Sequence, residues 1–380
     1  MRILLASSSS GSHGGGEIFL LYLGEALAAA GHTVALWTSR HPRMDELAAR
    51  FSGMGGVLRS DYRNTYDRWH RGLLPAGSDD ARWIVDSWLA WKPDVIHLNK
   101  QNIEDGNDLL LALSSLPAPH LCTVHITQTA QFLGARFASL RDARARHALQ
   151  AYRGPLIAVA PARAAELAAF LGAQADIRTV LNGVPLLPPS SLDRLALRAQ
   201  EGLRPDSFAI VAVGRLEPQK RPLRFLRYAA RIHETLPGAE LRWIGGGRMA
   251  ADWDREVAFH GLQGVACRVD WRNDVRSALP AYDLFLHSAA FEGLALALLE
   301  AMDAGLPCAM DQAVHAQLPP SIRSSSLAVG DETDWAGLLR DRTRLAELGR
   351  RAQAVVRAEF STDAMAGAYQ RIYEELCGNR

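Results

Sequence analysis

Two carboxylates, Glu292 and Glu300, stand eight positions apart in the stretch SAAFEGLALALLEAMDAGLPCAM, Ser288 to Met310. The first falls in what reads as a loop and the second about two turns into a helix. An ionised carboxylate accepts two hydrogen bonds at once, so Glu300 could take the vicinal hydroxyls of a ribose and Glu292 those of a second sugar. The amides of Gly293, Leu294 and Ala295 at the helix start would attract a phosphate, which the glycine lets approach closely. The plainer reading is a solvated loop glutamate and an exposed helix glutamate. Glu300, however, has Leu298, Leu299, Ala301 and Met302 as neighbours, so a solvated face there is narrow.

Three further stretches carry residues suited to chemistry. In AVGRLEPQKRP, Ala212 to Pro222, a strand and a glycine turn lead to Arg215 and Lys220 just before a helix whose first turn holds Pro222. Two cations beside a helix N-terminus oppose the helix dipole but suit a pyrophosphate placed between them; two solvated surface cations are the alternative. In SSSSGSHGGGEIF, Ser7 to Phe19, a glycine-rich turn joins the first strand to the first helix, yet Phe19 stands where a dinucleotide fingerprint needs its third glycine. The second strand ends in Thr38, Ser39 and Arg40 with no acidic residue for a nicotinamide ribose, although Arg40 suits a 2′-phosphate. Backbone approach to an anion and a tight turn both remain open for this loop. In CTVHIT, His125 closes an apolar run, where it is either satisfied by its neighbours or placed to donate to a sugar hydroxyl or steady developing charge.

The elements that must position these residues alternate. RILLA, TVALWTS, DVIHLN, HLCTVHI and LIAVA read as buried strands of the first half, and FAIVAVG, LRWIGGG, ACRVDW, DLFLHS and LPCAM repeat the pattern in the second. Helical segments lie between them, beginning with Glu17 to Ala30 closed by Gly31, which predicts parallel, doubly wound sheets. At 380 residues the chain is too long for one ordinary core, and two domains are expected. LNGVPLLPPSS, Leu181 to Ser191, interrupts the periodicity with prolines, a glycine and serines and serves as the linker. The expected division is 1–181, 182–360 and a final amphipathic helix in 361–380 that crosses back to the first domain. Two such domains would face each other across a cleft, with ligands outside the carboxyl ends of the strands.

The balance of 42 basic against 41 acidic residues gives no support to a nucleic-acid role. The four cysteines, Cys122, Cys267, Cys308 and Cys377, are scattered, so neither a disulfide nor a metal site is expected. MRILLASSSS reads as a first strand rather than a secretion signal, and no stretch reaches the length of a membrane span, which points to the cytoplasm. Arginines with aromatics between Arg59 and Arg71 and from Arg136 to Arg153, namely Tyr62, Tyr66, Trp69, Phe137 and Tyr152, suit either an anionic or lipid-linked acceptor at the inner membrane face or ordinary solvated helix faces.

With these residues in view, the chain resembles the retaining nucleotide-sugar glycosyltransferases of the GT-B fold, family 4 type. The resemblance runs over essentially the whole length and is carried by FEGLALALLEAM, which matches that family's two glutamates with seven residues between them, by VGRLEPQK, VLNGV and WIGGGR, and by DVRSALPAYDLFLHSA. It implies an α/β, GT-B architecture and transfer of a sugar from a UDP- or GDP-linked donor to an acceptor hydroxyl with retention, in glycan, glycolipid or glycoside biosynthesis. Arg215 and Lys220 would hold the donor pyrophosphate, Glu300 the ribose, and Glu292 with the Gly293 and Leu294 amides the donor sugar. Gly15 would let its loop approach the phosphate, and His125 would touch the transferred sugar. The family needs no metal, and it assigns no generally accepted protein nucleophile, so Glu292 reads as a positioner. The chain departs from the pattern at Leu294 and Ala295 (commonly Phe-Gly), Arg221 (glycine), Pro185 (aspartate), Ile126 (aspartate) and Asp270 (glycine). The alternatives are an epimerase or phosphorylase on the same scaffold, and a catalytically silent nucleotide-sugar-binding protein.

Overall fold

The computed structural model describes residues 1–9, 11, 14–65, 78–172, 175–188 and 193–378. Within it the chain forms two compact units, one of Met1–Gly183 with Thr362–Arg380 and the other of Val184–Ser361.

Seven strands build the sheet of the first unit: β1 (Arg2–Ser7), β2 (Thr33–Ser39), β3 (Gly56–Ser60), β4 (Val95–Asn102), β5 (His120–Ile126), β6 (Leu156–Ala158) and β7 (Ile177–Thr179). Their order is β3-β2-β1-β4-β5-β6-β7, with every pairing parallel. The second unit has β8 (Ala209–Val213), β9 (Glu240–Ile244), β10 (Ala266–Val269), β11 (Leu284–His287), β12 (Cys308–Asp311) and β13 (Leu327–Val329). These run β10-β9-β8-β11-β12-β13, again all parallel. Both units are therefore Rossmann-like, and in each the strand order reverses at one place, β1 beside β4 and β8 beside β11. Connections leave the sheet in opposite directions at such a point and open a crevice at the carboxyl edge.

The central strands are near-continuous apolar runs because helices cover both faces of a parallel sheet. Ile3, Leu4, Leu5 and Ala6 of β1 and Leu284, Phe285 and Leu286 of β11 are wholly buried. The outer strands β3, β7 and β13 are not evident from periodicity. β3 and β7 are short and half-buried at the sheet edge, so their composition carries little apolar signal. The first helix, Gly15–Ala29, starts two residues earlier than the apolar pattern suggests, because the Glu17 carboxylate accepts a hydrogen bond from the Gly14 amide at 2.9 Å and fixes the turn.

The C-terminal helix, Thr362–Gly378, packs within the first unit through Met365, Ala366, Tyr369, Ile372 and Tyr373. A buried polar chain completes that contact. The Tyr373 hydroxyl lies 2.7 Å from His97 Nδ1, His97 Nε2 lies 2.8 Å from Thr123 Oγ1, and Thr123 Oγ1 lies 2.8 Å from the Tyr369 hydroxyl. At the surface Arg178 joins Glu375 at 2.6 Å. Among the described residues no helix is long and apolar enough to cross a membrane.

Candidate active site

In the second unit, the two connections that leave β8 and β11 flank the point where strand order reverses. The first passes through Gly214 and Arg215 to a 3-10 turn, Pro218–Lys220, and then to the helix Pro222–Thr235. The second runs from Ser288 to Ala295 before the helix Leu296–Asp303. Side-chain and backbone bonds tie them together. Ser288 Oγ donates to the carbonyls of Lys220 and Arg221 at 2.9 and 3.1 Å, the Ala290 amide donates to the Gln219 carbonyl at 2.8 Å, and Gln219 Nε2 donates to the Phe291 carbonyl at 3.2 Å. The turn residue Arg221 has φ 48°, in the left-handed region that glycine enters without strain. This is the position where the family pattern has glycine, and here an arginine occupies a left-handed turn.

The glycine turn after β9 braces the first connection from the other side. The Leu216 amide donates to the Gly246 carbonyl at 2.8 Å, and Trp243 Nε1 donates to the Gly214 carbonyl at 2.8 Å. Gly245 has φ 128°, and a Cβ there would lie 2.4 Å from the Gly214 carbonyl oxygen, so both its conformation and its packing require glycine.

Within this frame Lys220 Nζ donates to Glu292 Oε1, and His287 Nε2 lies 3.1 Å from the same oxygen. The carboxylate is 7% exposed and the lysine 17%. Burial alone would raise the Glu292 carboxyl, but the Lys220 charge and the His287 hydrogen bond outweigh it and hold it down to about 2. Glu292 is thus a fixed, ionised acceptor at neutral pH. The Lys220 stem passes over Gly214, where an added Cβ would sit 3.3 Å from Cδ, so that glycine lets the lysine lie close to the strand exit. Arg215 is exposed on the same connection.

Glu300 lies in the helix Leu296–Asp303 and is 8% exposed, so it is not a solvated surface position. The helix begins at Leu296, two residues later than the apolar run suggests, because Ala295 is extended, with ψ 120°. Leu294 therefore precedes the helix with its side chain buried, and Gly293 is half-buried in the connection. Their amides belong to the loop rather than to the first helical turn, which corrects the placement read from sequence.

In the first unit, Gly15 is exposed as the first residue of its helix. Gly16 packs against Gln101, where a Cβ would meet Oε1 at 2.0 Å. Asn99, at the end of β4, donates from Nδ2 to the Gly16 carbonyl at 3.1 Å, and its Oδ1 lies 2.7 Å from His125 Nε2. Because Oδ1 can only accept, His125 Nε2 carries the hydrogen and donates it in a hydrogen bond to Asn99, leaving Nδ1 as an acceptor. Burial lowers His125 to about 4, and the ring packs edge-on against Phe19 at 4.8 Å. Of the two readings from sequence, the histidine satisfied by its neighbours describes Nε2, which is engaged by Asn99 and is not free to donate to a sugar hydroxyl.

Other sequence expectations fall differently. Arg40 pairs with Asp61 at 3.2 Å on the surface. Of the aromatics grouped with arginines, Tyr62 and Tyr152 are buried, the former donating to Asp108 at 2.9 Å, whereas Phe137 is exposed. Tyr66, Trp69 and Arg71 lie outside the described residues, as do Ser10, Ser12 and His13 of the first loop and Pro189, Ser190 and Ser191 of the linker. Among the described residues no group of three or more His, Cys, Asp or Glu is placed to hold a metal ion. Sequence reading missed His287 and Asn99. His287 stood in plain view five positions before Glu292, but as the last residue of an apolar strand it looked structural; Asn99 is recognisable only through the β4-β5 register.

Two Rossmann-like units with their strand order reversing at β1/β4 and β8/β11 define the GT-B class. HepE of Anabaena, solved in complex with UDP and glucose, shares this fold with a TM-score of 0.77 at 17% identity, covering 99% of this chain and all of that one. The family described as Glycosyltransferase Family 4 matches residues 13–186, and that described as Glycosyl transferases group 1 matches residues 193–313. The chain has the GT-B fold and is similar to the family 4 glycosyltransferases over its first unit and to the group 1 glycosyltransferases over its second.

It is 37% identical over 110 residues to the UDP-Gal:alpha-D-GlcNAc-diphosphoundecaprenol alpha-1,3-galactosyltransferase of Escherichia coli, a match covering 28% of each chain. It is 27% identical over 429 aligned positions to the D-inositol 3-phosphate glycosyltransferase of Mycobacterium marinum, covering 99% of this chain and 85% of that one. The chain spans 28% of the length of the first of these relatives, and 47% of the related enzyme from Mycobacterium avium.

Proposed function

We propose that the chain moves a hexosyl group from a nucleoside diphosphate sugar, UDP- or GDP-linked, to an acceptor hydroxyl with retention of anomeric configuration, in glycan, glycolipid or glycoside biosynthesis. The observation that carries this reading is the constellation of Lys220, Glu292 and His287 at the β8/β11 edge of the second unit. That edge offers a cation, an ionised acceptor and a nearby helix N-terminus, which are the groups a diphosphate and a sugar need. The E. coli relative, by its name, uses UDP-Gal, which favours a uridine donor.

In the proposed reaction the bond from the sugar anomeric carbon to the leaving diphosphate oxygen breaks, and the acceptor oxygen bonds to that carbon on the same face. The acceptor proton passes to the departing phosphate oxygen. Lys220 and Arg215 stabilise the charge that builds on the diphosphate, in the place a divalent cation takes in other transferases, so the proposal includes no metal cofactor. Glu300 takes the ribose hydroxyls. Glu292 and the Gly293 and Leu294 amides orient the sugar; a carboxyl held near 2 is a weak base and serves as a hydrogen-bond acceptor. In the first unit, Gly15 leaves its loop open to a phosphate, and His125, neutral, accepts from a sugar hydroxyl through Nδ1. Residues 1–181 serve the acceptor, 182–360 the donor.

The acceptor is a sugar, a small molecule or a lipid-linked hydroxyl, met at the cytoplasmic face of a membrane. A lipid setting is supported by the segment after β5, where Phe132, Leu133, Phe137 and Leu140 are 66%, 44%, 58% and 49% exposed. Arg136 lies 4.8 Å over the Phe137 ring.

The test is purified protein, without added metal, against UDP-, GDP-, ADP- and dTDP-sugars, followed by thermal shift and by release of nucleoside diphosphate. One donor that both stabilises the fold and is slowly hydrolysed supports the reading and names the donor. Stabilisation with no hydrolysis and no transfer to any acceptor makes the chain a silent binder, and no binding at all rejects the donor site.

A further inference from the structure

Glu292 offers one oxygen, Oε1, to two donors at once, Lys220 Nζ and His287 Nε2. The two donors differ in how they are held. Lys220 stands on a short 3-10 turn at the end of a flexible four-carbon stem. His287 is the last residue of β11, in register with Met310 of β12, is 3% exposed, and stacks on Phe285 with ring centroids 5.9 Å apart. An ionised carboxylate can only accept, so Nε2 carries the hydrogen, and the strand fixes where that hydrogen points.

This difference matters once a donor arrives. On the function proposed above, Lys220 belongs to the diphosphate, a far stronger anion than a single carboxylate. When the lysine turns to the phosphates, Glu292 loses its cation while remaining buried, and an unsupported buried carboxylate either takes a proton or swings away. The histidine cannot follow the lysine, since its backbone is paired within the sheet. We propose that His287 is the positioning residue that keeps Glu292 aimed at the donor sugar after the diphosphate has drawn Lys220 away. The Lys220–Glu292 pair is then the resting arrangement of the site, and the His287–Glu292 bond is the part that persists through the reaction.

The inference rests on the donor-site reading, and the experiment separates the two. UDP and UDP-galactose, or the matching pair for whichever donor the panel selects, are titrated calorimetrically into the unaltered chain and into His287→Leu, His287→Gln and His287→Asn, with turnover measured alongside. A glutamine amide reaches the place of Nε2, whereas the shorter asparagine amide reaches only that of Nδ1. For His287→Leu we expect affinity for the nucleoside diphosphate within about 2-fold of the unaltered chain, and turnover lower by roughly 10- to 100-fold, the scale of one charge-assisted hydrogen bond. The extra affinity for the sugar-bearing donor falls with it. His287→Gln restores most of both, and His287→Asn does not. The last two variants keep the comparison decisive should the leucine variant fail to fold. Equal losses for both ligands in every variant, indifference to all three, or asparagine equal to glutamine would each overturn the positioning role. An unaltered chain that binds neither ligand of any pair rejects the donor site itself, and this inference with it.

Discussion

At the scale of single residues, the site depends on charges held in shallow burial. Lys220→Ala removes the cation that offsets Glu292 and, in the proposed reaction, one that stabilises the diphosphate, while Glu300→Ala removes the ribose acceptor. Each is expected to lower turnover by about 1,000-fold, with far-ultraviolet circular dichroism and the melting profile close to the unaltered protein; near-normal turnover in a purified variant would remove that residue from its role. The glutamates and the lysine were legible in the sequence because spacing alone sets a carboxylate in a strand-exit loop and another on the following helix. His287 was not, because a histidine ending an apolar strand has the same local signature whether it is structural or functional. Only the fold shows that it shares Oε1 of Glu292 with Lys220. The tautomer of His125 was also beyond the sequence, since it is set by Asn99, a residue of the adjacent strand.

At the scale of elements, the central strands and the glycine turns followed from apolar runs and breakers, whereas the edge strands β3, β7 and β13 did not. The shift of the helix start from Leu294 to Leu296 has a local cause, the extended Ala295, which no periodicity reports. The segment between β5 and the helix Ala138–Ala151 is tied to that helix. Asp142, buried in that helix, accepts from the Ala130 and Gln131 amides at 2.7 and 3.1 Å, so the turn that displays Phe132 and Leu133 is anchored. Exposed large apolar groups on an anchored turn beside Arg136 match the interface of an anionic bilayer. The chain is expected to sediment with vesicles containing phosphatidylglycerol, less so in high salt, and a Phe132→Ser, Phe137→Ser variant to remain in solution. Equal behaviour of the two proteins would argue that the segment does not dock on lipid.

At the scale of the whole molecule, buried neutral histidines make the first unit sensitive to mild acid. Burial holds His97 at about 3, with His125 nearby adding to the effect, and His125 at about 4, both below the ordinary 6.5. Their contribution is full above pH 6.5, where the unfolded chain is also neutral, and is lost as pH falls, because below 6.5 the unfolded chain takes up protons that the folded one refuses. From pH 7 to pH 5 each histidine is expected to lower stability by up to about 2 kcal/mol. Urea unfolding at the two pH values checks this, and a His125→Asn variant should show a shallower slope; parallel slopes would mean that the histidines do not govern it. Glu292 acts in a lower window, its contribution fading between about 4.5 and 2.

The polar chain from His97 through Thr123 to Tyr369 and Tyr373 has a consequence in time as well as in space. Synthesis runs from the amino end, so the sheet of the first unit emerges from the ribosome before the second unit, while the tyrosines that close over it follow the second unit. Every residue of the second unit, Val184–Ser361, has been joined before they appear. Of the two units, the one begun earlier is therefore the one completed later, and throughout the translation of the second unit its buried histidine waits for a partner that has not yet been added to the chain.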